Sequence, residues 1–399
     1  MQSQIHSSHY HAGYAHPRHA HAYPGRRDFL RSLFAGPLAG ASLLEGAFHR
    51  AAWARAIAPA STGQLFDIEK VADSVFLARA RPQAEINCNA AIFVNSEDVL
   101  VVDAHSKPSA AAALIAQINR EVTPKPVRYI VNSHFHWDHT QGNHAYRSAE
   151  GKIDFIASKA TRQLMIDLSQ TRLKESLEQV PQRIDALEAR AAKVALPAEK
   201  DFCREQIRQL KAYRAEMQTY DLVLPTITFD DSYVIKDKNH DLHVEFHGHA
   251  HTAGDVIVFC PQRRVVATGD MIHGFLPFIF DAFPKAWPQT IDSVARHDFD
   301  HVLPGHGPLH VGRRPMTNLR NYIAELTGRV EQGKRAGQSV TDLQKTITVA
   351  SLKSLEADAY AKFLADNLYR FEPNFGPAAP LQEGVNTNIA DIYRNLDRV

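Results

Sequence analysis

The sequence predicts an α/β fold whose reactive side chains gather at strand ends. Short β-branched apolar runs, bounded by turn residues, recur in both halves of the chain. An amphipathic run from Pro108 to Val122 separates two of them, giving the order strand, helix, strand. A dense histidine cluster follows directly on the second of these strands. The chain has 399 residues, 44% apolar and 22% charged, as expected of an ordinary globular protein. Lys and Arg number 45 against 44 Asp and Glu, a net charge of +1, so binding nucleic acid through global charge is not indicated. Three cysteines exclude a disulfide scaffold and an all-cysteine zinc site. No run of apolar residues is long enough to predict a spanning helix. The 22 histidines are the departure from average, and imidazole is a common metal ligand.

The first segment reads as a leader. His6, His9, His11, His16, His19 and His21 lie among Ser, Ala, Gly, Tyr and Pro without hydrophobic period. They make either a metal-scavenging tract or a polar extension. Arg26-Arg27-Asp28-Phe29-Leu30 then precedes a modestly apolar run from Leu33 to Leu44, and Ala56-Ile57-Ala58 offers a small-residue cleavage site. This order makes an export signal, and the paired arginines resemble the twin-arginine type. A leader over residues 1–58 and one domain over 59–399 are therefore expected, with a periplasmic or otherwise exported location. Residues 1–58 hold six Arg and two acids, so the mature chain has 39 basic and 42 acidic residues, a net charge of −3. The twin-arginine route carries folded proteins, so metal loading before export and buried thiols at Cys88, Cys203 and Cys260 are expected.

Within the domain, strands are expected at Ser74–Ala80, Ala90–Asn95, Val99–Asp103 and Val127–Asn132, with the helix Pro108–Val122 between the last two. That helix carries Ala111, Leu114, Ile115 and Ile118 on one face. From about 157 to 220 the pattern changes. Leu173, Leu177, Val180, Ile184 and Leu187 follow three-and-four spacing, and Ile207, Leu210 and Met217 follow beyond Pro197. This is a helical hairpin inserted in the α/β frame: a lid, a homodimer surface or a packing arm. Strands resume at Thr226–Phe229, Ser232–Lys236, Asp241–His247, Asp255–Cys260 and Arg264–Thr268. Helices at Arg314–Glu331 and Leu352–Asn367 form a helical C-terminal segment.

The strongest signal is Asn132-Ser133-His134-Phe135-His136-Trp137-Asp138-His139. In extended backbone His134, His136 and Asp138 project on one side, and a turn then aims His139 separately. Histidines with a carboxylate suit zinc, and also accommodate iron or manganese. Further on, His243, His247, His249 and His251 alternate, and spacing alone does not choose among them. His306 has rivals in His301 and His310, but the turn made by Pro304, Gly305 and Gly307 favours it.

The run His134-x-His136-x-Asp138-His139 resembles the signature of the metallo-β-lactamase superfamily. Other elements of that family follow in order: Asp103 at a strand end, His251-Thr252-Ala253-Gly254-Asp255, Thr268-Gly269-Asp270, and Pro304-Gly305-His306-Gly307. The resemblance spans roughly Gln64 to Pro308 apart from the insertion. It implies an αββα sandwich with two metal ions, zinc by preference, at one edge. It assigns His134, His136 and His251 to one metal, Asp138, His139 and His306 to the other, and Asp270 to both. Asp103 and Asp255 are implied as acceptors that orient ligand imidazoles. The resemblance further implies that a hydroxide shared by the metals attacks the substrate, with Asp138 orienting it.

For the substrate, Asp270 stands where β-lactamases of the family usually carry Cys or Ser. It therefore points to the broader hydrolase branch of thioesterases and lactonases, and the chain is similar to exported metallo-hydrolases found beside quinoprotein oxidation systems. Phe275, Phe278, Phe280 and Phe283 follow Asp270 and form either an apolar pocket wall or core. His273 is either a proton donor to the leaving group or a hydrogen-bonded bystander. A small-molecule ester, thioester, lactone or lactam is expected. Nucleic acid is not, because there is no basic patch interleaved with aromatics. β-Lactamase activity proper, a diiron redox protein and a non-catalytic accessory protein are the alternatives.

Overall fold

The computed structural model describes residues 64–81, 85–148, 152–371 and 381–398. The expected leader, with its histidines and arginine pair, lies outside the described residues.

Two mixed sheets form the frame. The first runs β1 (Phe66–Ala72), β2 (Val75–Ala80), β3 (Ala90–Val94), β4 (Val99–Val102), β5 (Val127–Val131), β6 (Asp154–Ser158) and β7 (Ile227–Phe229), in spatial as well as chain order. Pairing is antiparallel from β1 to β4 and parallel from β4 to β7. The second sheet holds β8 (Ser232–Ile235), β9 (Leu242–Phe246), β10 (Val256–Cys260), β11 (Val265–His273), β12 (His301–His306) and β13 (His310–Val311), also in order. Its pair β11–β12 is parallel and the others are antiparallel.

Alternation along β4 shows how the layers form. Leu100 and Val102 face the second sheet, packing with Val244, Val258 and Ala267. Val99 and Val101 face the other way, toward Ala110, Ala111, Leu114 and Ile118 of α1 (Pro108–Glu121). Side chains of period two thus serve two cores at once. On the outer face of the second sheet, Ile257, Val266 and Val302 pack with the C-terminal helices through Trp287, Leu319, Tyr322 and Ile389. The result is the expected α/β fold, helices outside two stacked sheets.

Several elements depart from their sequence reading. The hairpin helices begin only after β6, because Phe155, Ile156 and Ala157 are buried strand residues. Ser158 then caps the first helix, its Oγ accepting from Thr161 N at 3.1 Å. The short helices α2 (Trp137–Thr140) and α3 (Asn143–Ser148) precede that point; α4 (Lys159–Lys193) and α5 (Pro197–Glu216) form the hairpin. Val180, Leu187, Cys203 and Leu210 give the hairpin its own small core. After α6 (Trp287–Val294) and α7 (Arg314–Arg335), α8 (Val340–Thr346) is followed by a broken stretch. The helix expected over Leu352–Asn367 is instead α9 (Lys353–Glu356) and α10 (Tyr360–Phe371), with a 3₁₀ turn between them. Asp358 and Ala359 there have φ of 55°, and left-handed backbone cannot continue a helix. A last helix, α11 (Leu381–Asn395), buries Val385, Ile389 and Ile392 against the same core. Cys88, Cys203 and Cys260 are buried free thiols. Among the described residues no helix is long and apolar enough to cross a membrane.

Candidate metal centre

Loops and strand ends at one edge of the two sheets deliver the reactive side chains. His134 and His136 follow β5; Asp138 and His139 lie on α2; His251 sits between β9 and β10; Asp270 lies within β11 and His306 ends β12. All seven are buried. Two groups form, each with donor atoms close together: His134, His136, His251 and Asp270, and Asp138, His139 and His306. The period-two expectation holds only for His134 and His136. Asp138 does not continue it, because α2 begins with Trp137 and turns Asp138 and His139 into the second group.

In the first group His136 Nδ1 lies 3.0 Å from His134 Nε2 and 2.9 Å from His251 Nε2. In the second, His306 Nε2 lies 3.0 Å from Asp138 Oδ2 and 3.2 Å from His139 Nε2. Asp270 reaches both: its Oδ2 is 3.6 Å from His251 Nε2 and 3.5 Å from His306 Nε2, and its Oδ1 is 3.3 Å from His139 Nε2. Imidazole nitrogens this close and facing one another lack protons enough to bond every pair. The convergence fits cations, and the nitrogen and oxygen donors fit zinc-like metals without deciding which.

The backbone near Asp270 is shaped for this. β11 does not stop at Thr268 as expected but continues to His273, with register shifts on either side of Gly269. Gly269 has φ of 51°, and a Cβ there would lie 2.1 Å from Ser133 Oγ. The irregularity re-aims the strand so that Asp270 faces the histidines. Gly305 of β12 is equally constrained, since a Cβ would come within 2.1 Å of Asp270 Oδ1.

Outer contacts fix the rings. Asp103 Oδ2 lies 2.8 Å from His139 Nδ1 and accepts from Ser133 Oγ at 2.8 Å. Ser133 Oγ also lies 3.0 Å from His134 Nδ1. Asp103 has φ of 69°, a left-handed conformation that Asp tolerates better than most residues. Asp255 differs from its expected role. Its carboxylate accepts from Thr252 N and Thr252 Oγ1, while His251 Nδ1 has no hydrogen-bond partner among the described residues. Asp255 therefore braces the turn that carries His251 rather than its ring.

The sequence reading missed Asp281 and Arg172. His136 Nε2 lies 2.8 Å from Asp281 Oδ2, and Arg172 of α4 grips both Asp281 oxygens at 2.7 and 2.8 Å. The inserted hairpin thus reaches a centre ligand through one carboxylate. No spacing rule links residues 109 apart, so only the fold reveals this contact. The arginine also lies over the Phe135 and Phe280 rings.

Electrostatics separate the two groups. Burial, and then the neighbouring rings of His139 and His136, push His134 well below its ordinary value, so it is neutral and free to ligate. Burial also opposes charge on His306, but Asp270 and Asp138 raise it to about 9. Burial likewise opposes charge on Asp281, yet Arg172 and His136 hold its carboxyl well below the usual range. His273 lies 3.5 Å from Asp270, and burial lowers it to about 4. Among the described residues neither ring nitrogen of His273 has a hydrogen-bond partner, and a neutral ring at pH 7 is a poor acid. The four phenylalanines divide. Phe275 is buried beside His306, whereas Phe278 is 42% exposed with its ring centre 5.7 Å from that of His136.

A buried two-group cluster of His and Asp at the edge of stacked sheets is suited to a dinuclear metal site. Residues 84–306 match the Metallo-beta-lactamase superfamily, and the chain belongs to it. Among curated proteins it is similar to a linear primary-alkylsulfatase from Pseudomonas sp. (strain ATCC 19151), 23% identical over 231 residues. That match takes in 56% of this chain, which spans only 42% of the relative's length. Among solved structures it is similar to a metallo-beta-lactamase from Pontibacter korlensis, with TM-score 0.47 and 18% identity over 64% of this chain and 97% of that one. Another, from Hirschia baltica, gives TM-score 0.46 and 17% identity over 65% and 97%.

Proposed function

We propose that the chain is a dinuclear metallo-hydrolase of an ester-, thioester-, lactone- or lactam-type carbonyl in a small molecule with an apolar portion. The convergence of seven buried donors into two groups that share Asp270 carries this reading. The seven side chains would hold two divalent ions, zinc by donor type, which would supply Lewis acidity and make hydroxide available near neutral pH. The side chains do the rest. Asp138, 3.0 Å from His306, accepts a hydrogen bond from the attacking water and orients it. Asp103 and Asp281 hold the rings of His139 and His136, and Phe278 offers an exposed apolar ring beside His136 for the substrate's acyl or ring portion.

A second reading, hydrolysis of an alkyl sulfate ester, is favoured by the similarity to the linear primary-alkylsulfatase. The apolar ring of Phe278 suits an alkyl chain equally. Asp270 weighs against β-lactamase activity proper. Export by the arginine-pair leader belongs to the same proposal. The mature chain then works in the periplasm on small molecules, and the hairpin offers a surface for a second copy.

The test combines elemental analysis with a hydrolysis panel on the folded chain: a thioester, a lactone, a β-lactam, a phosphodiester and an alkyl sulfate. Metal held through His134, His139 and Asp270 with turnover of a carbonyl substrate supports the first reading; sulfate release supports the second. Two irons without hydrolysis would make it a redox protein, and full metal without turnover an accessory one.

A further inference from the structure

A second convergence of metal-ligating side chains lies outside this centre. Glu245 sits on β9, His247 just past its end, and His297 in the turn after α6. Glu245 Oε2 is 2.9 Å from His247 Nε2 and 2.9 Å from His297 Nε2, and the two nitrogens are 3.2 Å apart. Three donor atoms thus form a nearly equilateral triangle. The side chains are 20%, 15% and 22% exposed, so an ion from solvent reaches them. His247 Nδ1 lies 2.9 Å from Ser293 Oγ, which also accepts from Arg296. A proton on Nδ1 toward Ser293 leaves the Nε2 lone pair facing the triangle. The His297 ring lies against Phe259 with centroids 4.3 Å apart, which fixes its plane.

We propose that Glu245, His247 and His297 form an additional divalent-metal site, of a two-imidazole, one-carboxylate type that suits zinc. With ligand distances of about 2.0–2.2 Å, an ion sits about 1 Å off the plane of the three donors, with its outer side open to water. In the metal-free chain burial opposes charge on Glu245, but proton-bearing His247 and His297 rings hold its carboxyl well below the usual range; a bound cation would take the place of those ring protons as counter-charge. His243 Nδ1, 3.5 Å from Glu245 Oε1, faces the second oxygen. The site ties the end of β9 to the turn after α6. Four residues beyond His247 the same loop delivers His251 to the dinuclear centre, so the additional metal is structural. This inference stands independently of the proposed function.

The test is zinc titration of the chelator-stripped full chain by calorimetry, with zinc content measured after gel filtration. The six N-terminal histidines are potential zinc ligands, so the readout is the difference between variants rather than the total. His247→Gln and His297→Gln are each expected to lose one equivalent, or to bind it about tenfold or more weakly. Glu245→Gln keeps the side-chain shape, guards against misfolding, and is expected to show the same loss. The one-equivalent difference is expected to persist in a His134→Ala/His136→Ala background, which separates this site from the dinuclear centre. Unchanged zinc content and affinity in all three single variants would overturn the proposal.

Discussion

At the scale of single residues, Asp270 stands between the two donor groups, within 3.3–3.6 Å of His139, His251 and His306. Asp270→Ala leaves each group one donor short and lets two cations face each other without an anion between them. It is expected to lose one metal and nearly all hydrolysis; two tightly held metals in that variant, by elemental analysis, would contradict a shared carboxylate. The seven donors lie in short motifs beside apolar strands, but the family resemblance, not spacing, separated His251 from His243, His247 and His249. Asp281 was not legible. Its partner Arg172 comes from a helix inserted between distant motifs, and no local pattern marks the pair. Asp255 was misassigned for a related reason: a carboxylate four residues from a ligand braces a turn as readily as it holds a ring.

Elements explain how those residues stay in place. α4 reaches the centre through Arg172, which bonds both oxygens of a buried carboxylate that in turn meets His136. Arg172→Ala strands Asp281 without its cation. Removing one partner of a fully buried pair costs about 3–5 kcal/mol, and less here because Arg172 is partly exposed, so a loss on the order of 2 kcal/mol is expected. Denaturant melts would report that loss, and His136-dependent metal affinity should fall with it. An unchanged affinity would mean that the hairpin only packs. The packing of β12 against β11 is tighter still. Gly305→Ala drives a methyl into Asp270, and overpacking of this kind costs about 1–3 kcal/mol. Gly305 lacks a positive φ, so steric contact is the issue there; loss of bound metal beyond that of a Gly312→Ala control, whose Cβ meets nothing within 4 Å among the described residues, would place the damage at Asp270. Most strands and α1 could be read from period and turn residues. The extension of β11 could not, because Gly269 ends a strand pattern in sequence yet here makes an irregularity within one. The break between α9 and α10 was hidden likewise, since Asp358 and Ala359 look helical in composition.

For the whole molecule, the centre couples folding, metal and pH. Without metal, Asp270 and Asp138 overcome burial and raise His306 to about 9, above its unfolded value of about 6.5. A raised histidine contributes stability that is complete below about pH 6.5 and is lost as pH rises through about 9. Asp281 works in the opposite sense. Its lowered carboxyl contributes stability above its unfolded value of about 3.9, lost as pH falls below that toward its folded value. The metal-free chain is therefore expected to be most stable between these limits, at mildly acid to neutral pH. Metal changes the alkaline limb, because a cation at Asp138, His139 and His306 must displace the proton that His306 holds below about pH 9. Zinc binding at pH 7 is then expected to release protons, and its affinity to rise with pH up to about 9. Calorimetry in buffers of different ionisation enthalpy measures that release directly. A histidine of ordinary value is about a quarter protonated at pH 7, so the six N-terminal ones together hold more than one proton, and the release is read as the difference from a His306→Ala variant. A difference independent of buffer would mean that His306 is already neutral in the metal-free chain, and that the two carboxylates do not hold the charge their positions imply.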